Sequence, residues 1–452
     1  MKLRLFTSLV TTLLLSLTAT AQSSYDLQKP FGFCTVSSRT TNTTYNITGG
    51  GCYEYPVTGV DASKVKVLTS SGANVDMKST IQNAIKQYDV IIFDGSQGDF
   101  IVSSNIGFER GNKTLLGINN ARLCTKWSVT QEIKDALDAA GVPNMRTSSG
   151  TGGKLTNGKS VSEQAEYNTR QIILNLTNDN SESYRNSGIL TLSGKENVII
   201  RNITFVGPGA IDVSGADLVS FTGSKHCWVD HCSFTDGMDG NFDITNSSDF
   251  NTVSWCTFSY TDRSYMHQNT NLIGSSDSET TGYLNTTFAF NHWGEKCRAR
   301  MPMARVGKIH MLNNYYTCTG NGSACINPRK NSEFLIEGNY FGSDISKVYS
   351  QSDATAVTWK NDNVITVTSV SKPSSFGTAV TVPYEYTVAT ASDVPGAVST
   401  HAGATLYTNV TAIKTVTAER NGVQGPFYNL AGQRVNDAAR GVIIVNGRKI
   451  VK

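Results

Sequence analysis

The chain has 452 residues, 39 of them Lys or Arg and 36 Asp or Glu, for a formal net charge of +3. Only 17% of the residues are charged while Gly occurs 40 times, which argues against a helical protein and for an extracellular β protein. Because the charges nearly cancel, bulk charge gives no ground for a nucleic-acid partner, and only the local placement of charge carries information.

The first 21 residues read as a secretory signal, with Lys2 and Arg4, an apolar run from Leu5 to Leu17, and Ala19-Thr20-Ala21 before Gln22. A transmembrane reading is disfavoured because that run is short and no second apolar stretch of about 20 residues follows. The mature chain is therefore expected outside the cytoplasm, extracellular, at the cell surface or in the periplasm, and as a monomer. Nine cysteines in an exported chain allow disulfides. Cys318 and Cys325, flanking a turn-rich loop, are the first candidate pair, and Cys34 with Cys52 the second. No CxxC pair occurs, so zinc is not supported.

Residues 22–60 carry no assignable pattern. From Asp76 to Tyr88 the apolar positions Met77, Ile81, Ala84, Ile85 and Tyr88 predict a short amphipathic helix, placed to cover the end of a sheet. Strand-like runs follow at Val90 to Phe93, Phe100 to Val102 and Thr114 to Ile118. Ile133, Ala136, Leu137 and Ala140 predict a second helix ending at Gly141 and Pro143. Arg146 to Lys159 reads as a mobile surface loop, with strands resuming near Ile172.

From Asn197 one pattern returns, an apolar β-branched run closed by a four-residue unit ending in an aromatic. Those aromatics are Phe205, Phe234, Phe258, Trp293, Tyr316 and Phe341, separated by 29, 24, 35, 23 and 25 residues. Periods of that length predict a solenoid. Two positions before each aromatic stand Ile203, Cys232, Cys256, Asn291, Asn314 and Asn339, so like residues would stack on neighbouring rungs, the asparagines hydrogen-bonding along the stack. The two longest gaps place insertions on one edge, where a solenoid carries its binding surface. Residues 405–452 are of another kind, alternating strands split by Asn-Gly, and predict a small β tail.

Two groups of charge stand out. Asp217, Asp239 and Asp243 fall where adjacent rungs would gather them on one face, and an all-oxygen set suits Ca²⁺; by spacing alone they read equally as strand-capping turn acids. Lys296, Arg298, Arg300, Arg305 and Lys308 put five cations within thirteen positions, with Glu295 the only adjacent acid. Such a run needs a polyanion. His231, His267, His292 and His310 have no Ser or Cys nucleophile at a suitable spacing and read as packed or surface residues.

The segments Cys227-Trp228-Val229-Asp230-His231-Cys232-Ser233-Phe234, Asp239 to Ile244, Asn271-Leu272-Ile273-Gly274-Ser275-Ser276-Asp277 and Arg300 to His310 with Asn313-Asn314-Tyr315-Tyr316 resemble, in this order, polysaccharide lyase family 1, the pectate lyases. The resemblance runs from about residue 60 to 404. It implies an all-β fold, a right-handed parallel β-helix over 22–404, with the short N-terminal helix as cap and the β tail beyond. It also implies a secreted lyase that cleaves de-esterified polygalacturonate by Ca²⁺-assisted β-elimination, leaving 4,5-unsaturated oligogalacturonides. Asp217, Asp239 and Asp243 would hold Ca²⁺, Arg300 would be the base and Arg305 would bind substrate carboxylate. Arg298 and Lys308, in the same cationic run, are assigned to substrate binding as well. Neighbouring cations and Ca²⁺ would disfavour a charged Arg300.

Two positions depart from the family pattern: Gly215 replaces an acid, with Asp212 nearby, and Gln268-Asn269 stand where a substrate-binding Lys is common. The tail resembles type IX sorting tails of Bacteroidetes, which implies an export machinery as partner. The alternatives are a pectin lyase acting on methyl-esterified polymer, a polygalacturonase using paired acids on water, and a non-catalytic polysaccharide-binding or adhesin protein.

Overall fold

The computed structural model describes residues 29–143, 155, 157–179, 181–411, 427–429, 433–435, 442–445 and 448–451. The expected signal segment lies outside them, as does most of the stretch from Arg146 to Lys159. Three parallel sheets of ten, seven and nine strands coil together as a right-handed parallel β-helix. Each turn gives one strand to each sheet. Val219–Thr222, Phe242–Thr245, Leu272–Ile273 and Met303–Ala304 are thus successive neighbours in the seven-stranded sheet, in parallel register.

The repeated aromatic is what keeps the rungs in phase. Phe205, Phe234, Phe258, Trp293, Tyr316 and Phe341 face one another across consecutive strands of the nine-stranded sheet and stack at centroid distances of 4.5–5.4 Å. All six are fully buried, and each contributes about 1.5–3 kcal/mol of burial. Beside them runs the expected amide ladder. Asn291 donates to Asn314 Oδ1 at 3.1 Å, Asn314 to Asn339 Oδ1 at 2.9 Å, and Asn339 to Asn363 Oδ1 at 2.9 Å, one rung further than the aromatic spacing reveals. Cys232 and Cys256 occupy the same column as buried packing residues.

The helix Lys78–Gln87 lies where the apolar spacing puts it, with Met77, Ile81, Ala84 and Ile85 sealed into the main core at the first turns of the coil. Gln131–Ala139 matches the second expectation. The region after it does not. Val161–Thr177 is a helix, so Ile172 lies in a helix and strands resume only at Leu190. Its start is set by a capping box in which Ser160 and Glu163 satisfy each other's backbone N–H groups. Only Ala165, Thr169 and Ile173, four apart, form its buried stripe, too thin to register against so polar a sequence. A fourth helix, Val394–His401, closes over Trp255, Ala289, Phe290 and Leu312 in a stretch without evident periodicity.

Residues 29–60 bind along the ten-stranded sheet through Phe33 N–H to Thr287 Oγ1 (3.0 Å), Cys34 N–H to Thr252 Oγ1 (3.1 Å) and Gly49 N–H to Asn197 Oδ1 (2.8 Å). All nine cysteines are free thiols. Cys318 and Cys325 lie side by side, Sγ to Sγ 3.8 Å, without a bond, whereas Cys34 and Cys52 each turn to a nearby carbonyl, of Phe31 and Glu54. At the far end, Leu406 and Val410 donate N–H groups to Asn202 and Asn119 of the coil. The strands Phe427–Tyr428, Arg434–Val435, Val442–Val445 and Arg448–Val451 then form a separate antiparallel sheet. Among the described residues no helix is long and apolar enough to cross a membrane.

Candidate active site

The two long insertions meet over the seven-stranded sheet. The first, containing Ile211 and Val213, packs together with Met238 of the following turn against the helices Gln131–Ala139 and Val161–Thr177, and Ser214 donates to Glu166 of the second helix. These helices thereby fix the loop that delivers Asp217 just before the strand Val219–Thr222. Ser220 on that strand pairs in register with Asp243 of the next. The carboxylates of Asp217 and Asp243 converge on Gly240. A Cβ there would stand 2.8 Å from Asp217 Oδ1 and 3.1 Å from Asp243 Oδ1, so glycine is what leaves room for both acids.

Asp217 Oδ1 is buried without a hydrogen-bond donor, while its other oxygen accepts from Ser220 Oγ at 3.2 Å. Burial, then the charge of Asp239, pushes the Asp217 carboxyl up to about 7; Ser220, Arg300 and His267 act against that rise. Asp243 also rises well above the ordinary carboxylate range, through burial first and the charge of Asp217 second, although its Oδ1 accepts the Leu272 N–H at 2.9 Å and Arg300 opposes the shift. Two acids side by side, one buried and the other half-buried with an orphaned oxygen, fit a hard divalent cation.

Asp239 is turned elsewhere. Its Oδ1 lies 2.8 Å from His267 Nε2, and His267 Nδ1 lies 3.3 Å from Asp212 Oδ2. Burial alone would lower this imidazole; its hydrogen bonds to Asp212 and Asp239 outweigh burial and raise it to about 9. Consequently no three acidic, His or Cys side chains among the described residues stand in ready coordination geometry. A cation held by all three aspartates requires Asp239 to leave His267. An acid at position 215 would displace Met238, since a Cβ on Gly215 would meet its Sδ at 2.1 Å. Asp212 reaches the cluster through His267 Nδ1, and Asn269 Nδ2 stands 2.9 Å from His267 Nε2, the ring nitrogen that faces Asp239.

The cationic run crosses this face on the next rungs. Asn269 pairs with Ala299 and Leu272 with Met303, so Thr270 and Asn271 face three residues, Arg300, Met301 and Pro302. The extra residue is a bulge, and Arg300 takes the left-handed conformation, φ 61°; a bulge of this kind re-aims a side chain beside a site. Its carbonyl is pinned by Asn271 N–H at 2.7 Å and by the Thr270 hydroxyl. The guanidinium is half-buried, forms no hydrogen bond or ion pair among the described residues, and acts by its charge on both Asp217 and Asp243.

The other four cations divide. Arg305 is held by Asp277 through Nε at 2.8 Å and by the Gly274 carbonyl through Nη1 at 3.0 Å. Arg298 is exposed and lies over Gly322. Lys296 pairs with Asp262. Lys308 is not brought to this face: it begins a strand of the ten-stranded sheet, is buried, and donates to the carbonyls of Arg39 and Thr381 at 3.2 and 3.0 Å, with Glu333 at 3.8 Å. One turn of chain after Arg305 has carried it into another sheet.

The acids give a pH signature. Native Asp217 holds its proton to about 7, whereas an unfolded Asp loses it near 4. Between those values the native state binds more protons, so stability falls as pH rises through that window. With chelator present, the melting temperature should decline from pH 5 to pH 8 less steeply in Asp217→Asn than in the native protein. Identical slopes by scanning calorimetry would contradict the burial of this charge.

A family model described as pectate lyase matches residues 124–406. The chain is 35% identical over 222 residues to pectate lyase A of Aspergillus niger, covering 47% of this chain and 64% of that protein. It is 33% identical over 229 residues to pectate lyase A of Emericella nidulans, covering 48% and 64%. The chain thus spans under two thirds of the length of these relatives. A solved pectate lyase bound to a hexasaccharide superposes with a TM-score of 0.50 at 18% identity, over 84% of this chain and 98% of that one, and shares the fold.

Proposed function

The chain belongs to the pectate lyase family, and from that premise we propose that it cleaves de-esterified polygalacturonate by β-elimination, with Arg300 as base. The observation that carries this reading is the convergence of Asp217 and Asp243 on one point, with Arg300 re-aimed toward them by a bulge on a neighbouring rung. Asp217, Asp243 and, once released from His267, Asp239 would hold Ca²⁺. When bound, the ion neutralises the uronate carboxylate and stabilises the charge that builds up as the adjacent carbon loses its proton.

The protein's own groups supply the rest. Arg300 in its neutral form takes the C5 proton, the C4–O bond breaks, and the electron pair becomes a C4=C5 double bond conjugated with the carboxylate; water protonates the departing oxygen. Arg305, immobilised by Asp277 and Gly274, keeps Nη2 for a substrate carboxylate. Exposed Arg298 extends the cationic track, and Lys308, facing away, has no part. The reading extends to an exported monomer whose domain boundary falls near residue 404 and whose β tail is recognised by an export machinery.

Ultraviolet absorbance of the conjugated product on polygalacturonate tests this directly. Absorbance should rise with Ca²⁺ and stop with chelator. New reducing ends without absorbance would identify a hydrolase, greater activity on methyl-esterified polymer a pectin lyase, and neither signal a binding protein; each outcome would displace this reading.

A further inference from the structure

We infer that His267 is a positioning residue that competes with the divalent cation for Asp239 and so sets the affinity of the acid pocket. This rests on the functional reading above and adds a residue to it. The imidazole lies between two carboxylates, Nε2 at 2.8 Å from Asp239 Oδ1 and Nδ1 at 3.3 Å from Asp212 Oδ2. A ring N–H bonded to Asp239 Oδ1 takes up electron density on that oxygen and holds the carboxylate beside the imidazole, so a metal that draws on Asp239 competes with that contact.

The ring is not the part that yields. Tyr265 and Met266, just before it, pack with the two helices behind the acid loop. The Tyr265 N–H bonds to the Ala210 carbonyl at 3.0 Å, and its hydroxyl bonds to Asp138. His267 itself closes a tight turn, its carbonyl accepting the Asn269 N–H at 2.8 Å. Asp239, by contrast, is partly exposed on a turn between Met238 and Gly240, and its side chain is the one able to rotate. When it does, Asp212 keeps the imidazole paired. His267 thus works as a docking post: it occupies Asp239 while the pocket is empty and retains a partner when the pocket fills.

Calorimetric Ca²⁺ titration at one fixed pH, with Tb³⁺ luminescence as a second probe of the same pocket, reads the effect without reference to turnover. His267→Ala should bind Ca²⁺ about tenfold more tightly than the native protein, the loss of one charge-assisted hydrogen bond from the competing state. His267→Gln, which can still donate to Asp239, should fall between them. Asp212→Asn removes the alternative partner and one negative charge, and should weaken Ca²⁺ binding; it keeps the inference testable if the His267 variants do not fold. Equal or weaker binding by a folded His267→Ala overturns this inference alone. Absence of Ca²⁺ binding in both native and variant protein overturns the functional reading with it.

Discussion

Arg300→Ala is expected to lower turnover on polygalacturonate by about 10³-fold, the scale of losing a positioned base, with Ca²⁺ affinity and melting temperature close to native. The expectation follows from where Arg300 sits. Its backbone is held by Asn271 and Thr270 through its own carbonyl, which any residue supplies, while its guanidinium supports nothing structural among the described residues. Arg300→Lys should be nearly as inactive, because an ammonium on a different stem does not reproduce the planar fork. A variant retaining a tenth or more of native turnover would remove Arg300 from the chemistry.

Asp243→Ala should weaken Ca²⁺ binding about 100-fold, an effect equivalent to about 2.7 kcal/mol. Asp243 is one of two carboxylates converging beside Gly240, and the other, Asp217, has an orphaned oxygen facing the same point. Removing Asp243 takes away half of the preformed oxygen set and leaves the Leu272 N–H without its acceptor. The Ca²⁺-induced rise in melting temperature, which follows mass action on the folded state, should shrink in parallel. An unchanged titration would strike Asp243 from the ligand set.

Much of this fold is written in the phase of its interior residues. A coil that stacks each rung on the last demands the same residue type at the same position every turn, so Phe258, Trp293 and Tyr316, or Asn291, Asn314 and Asn339, are visible as a period without any knowledge of the structure. The acids stand out as a set that neighbouring rungs would gather on one face, whereas Arg300 is singled out by the resemblance of its segment to the family motif and not by the period. What escaped depends on contacts that no local pattern encodes. The helix Val161–Thr177 buries a stripe of only three residues against loops far along the chain. His267 draws its significance from Asp212 and Asp239 on other rungs, and nothing in its immediate sequence marks it.

The run of five cations shows the limit in the opposite direction. Read linearly it is one patch, yet three of its members meet acids from elsewhere, Asp262, Asp277 and Glu333. Lys308 leaves the face altogether because the chain turns a corner after Arg305. Clustering along a solenoid sequence spans two sheets within a few residues, so proximity in sequence there does not mean a shared surface. The cysteines teach the same lesson: Cys318 and Cys325 are adjacent, as their flanking turn suggests, but stand as thiols.

A divalent cation and Arg300 are expected to share one groove over the seven-stranded sheet, which a crystal structure with Ca²⁺ and trigalacturonate would show. The ion should lie against Asp217 and Asp243, with Asp239 swung from His267 toward it and the Arg300 guanidinium over the sugar's C5. An ion bound elsewhere, or a sugar lying away from Arg300, would rule out that shared groove.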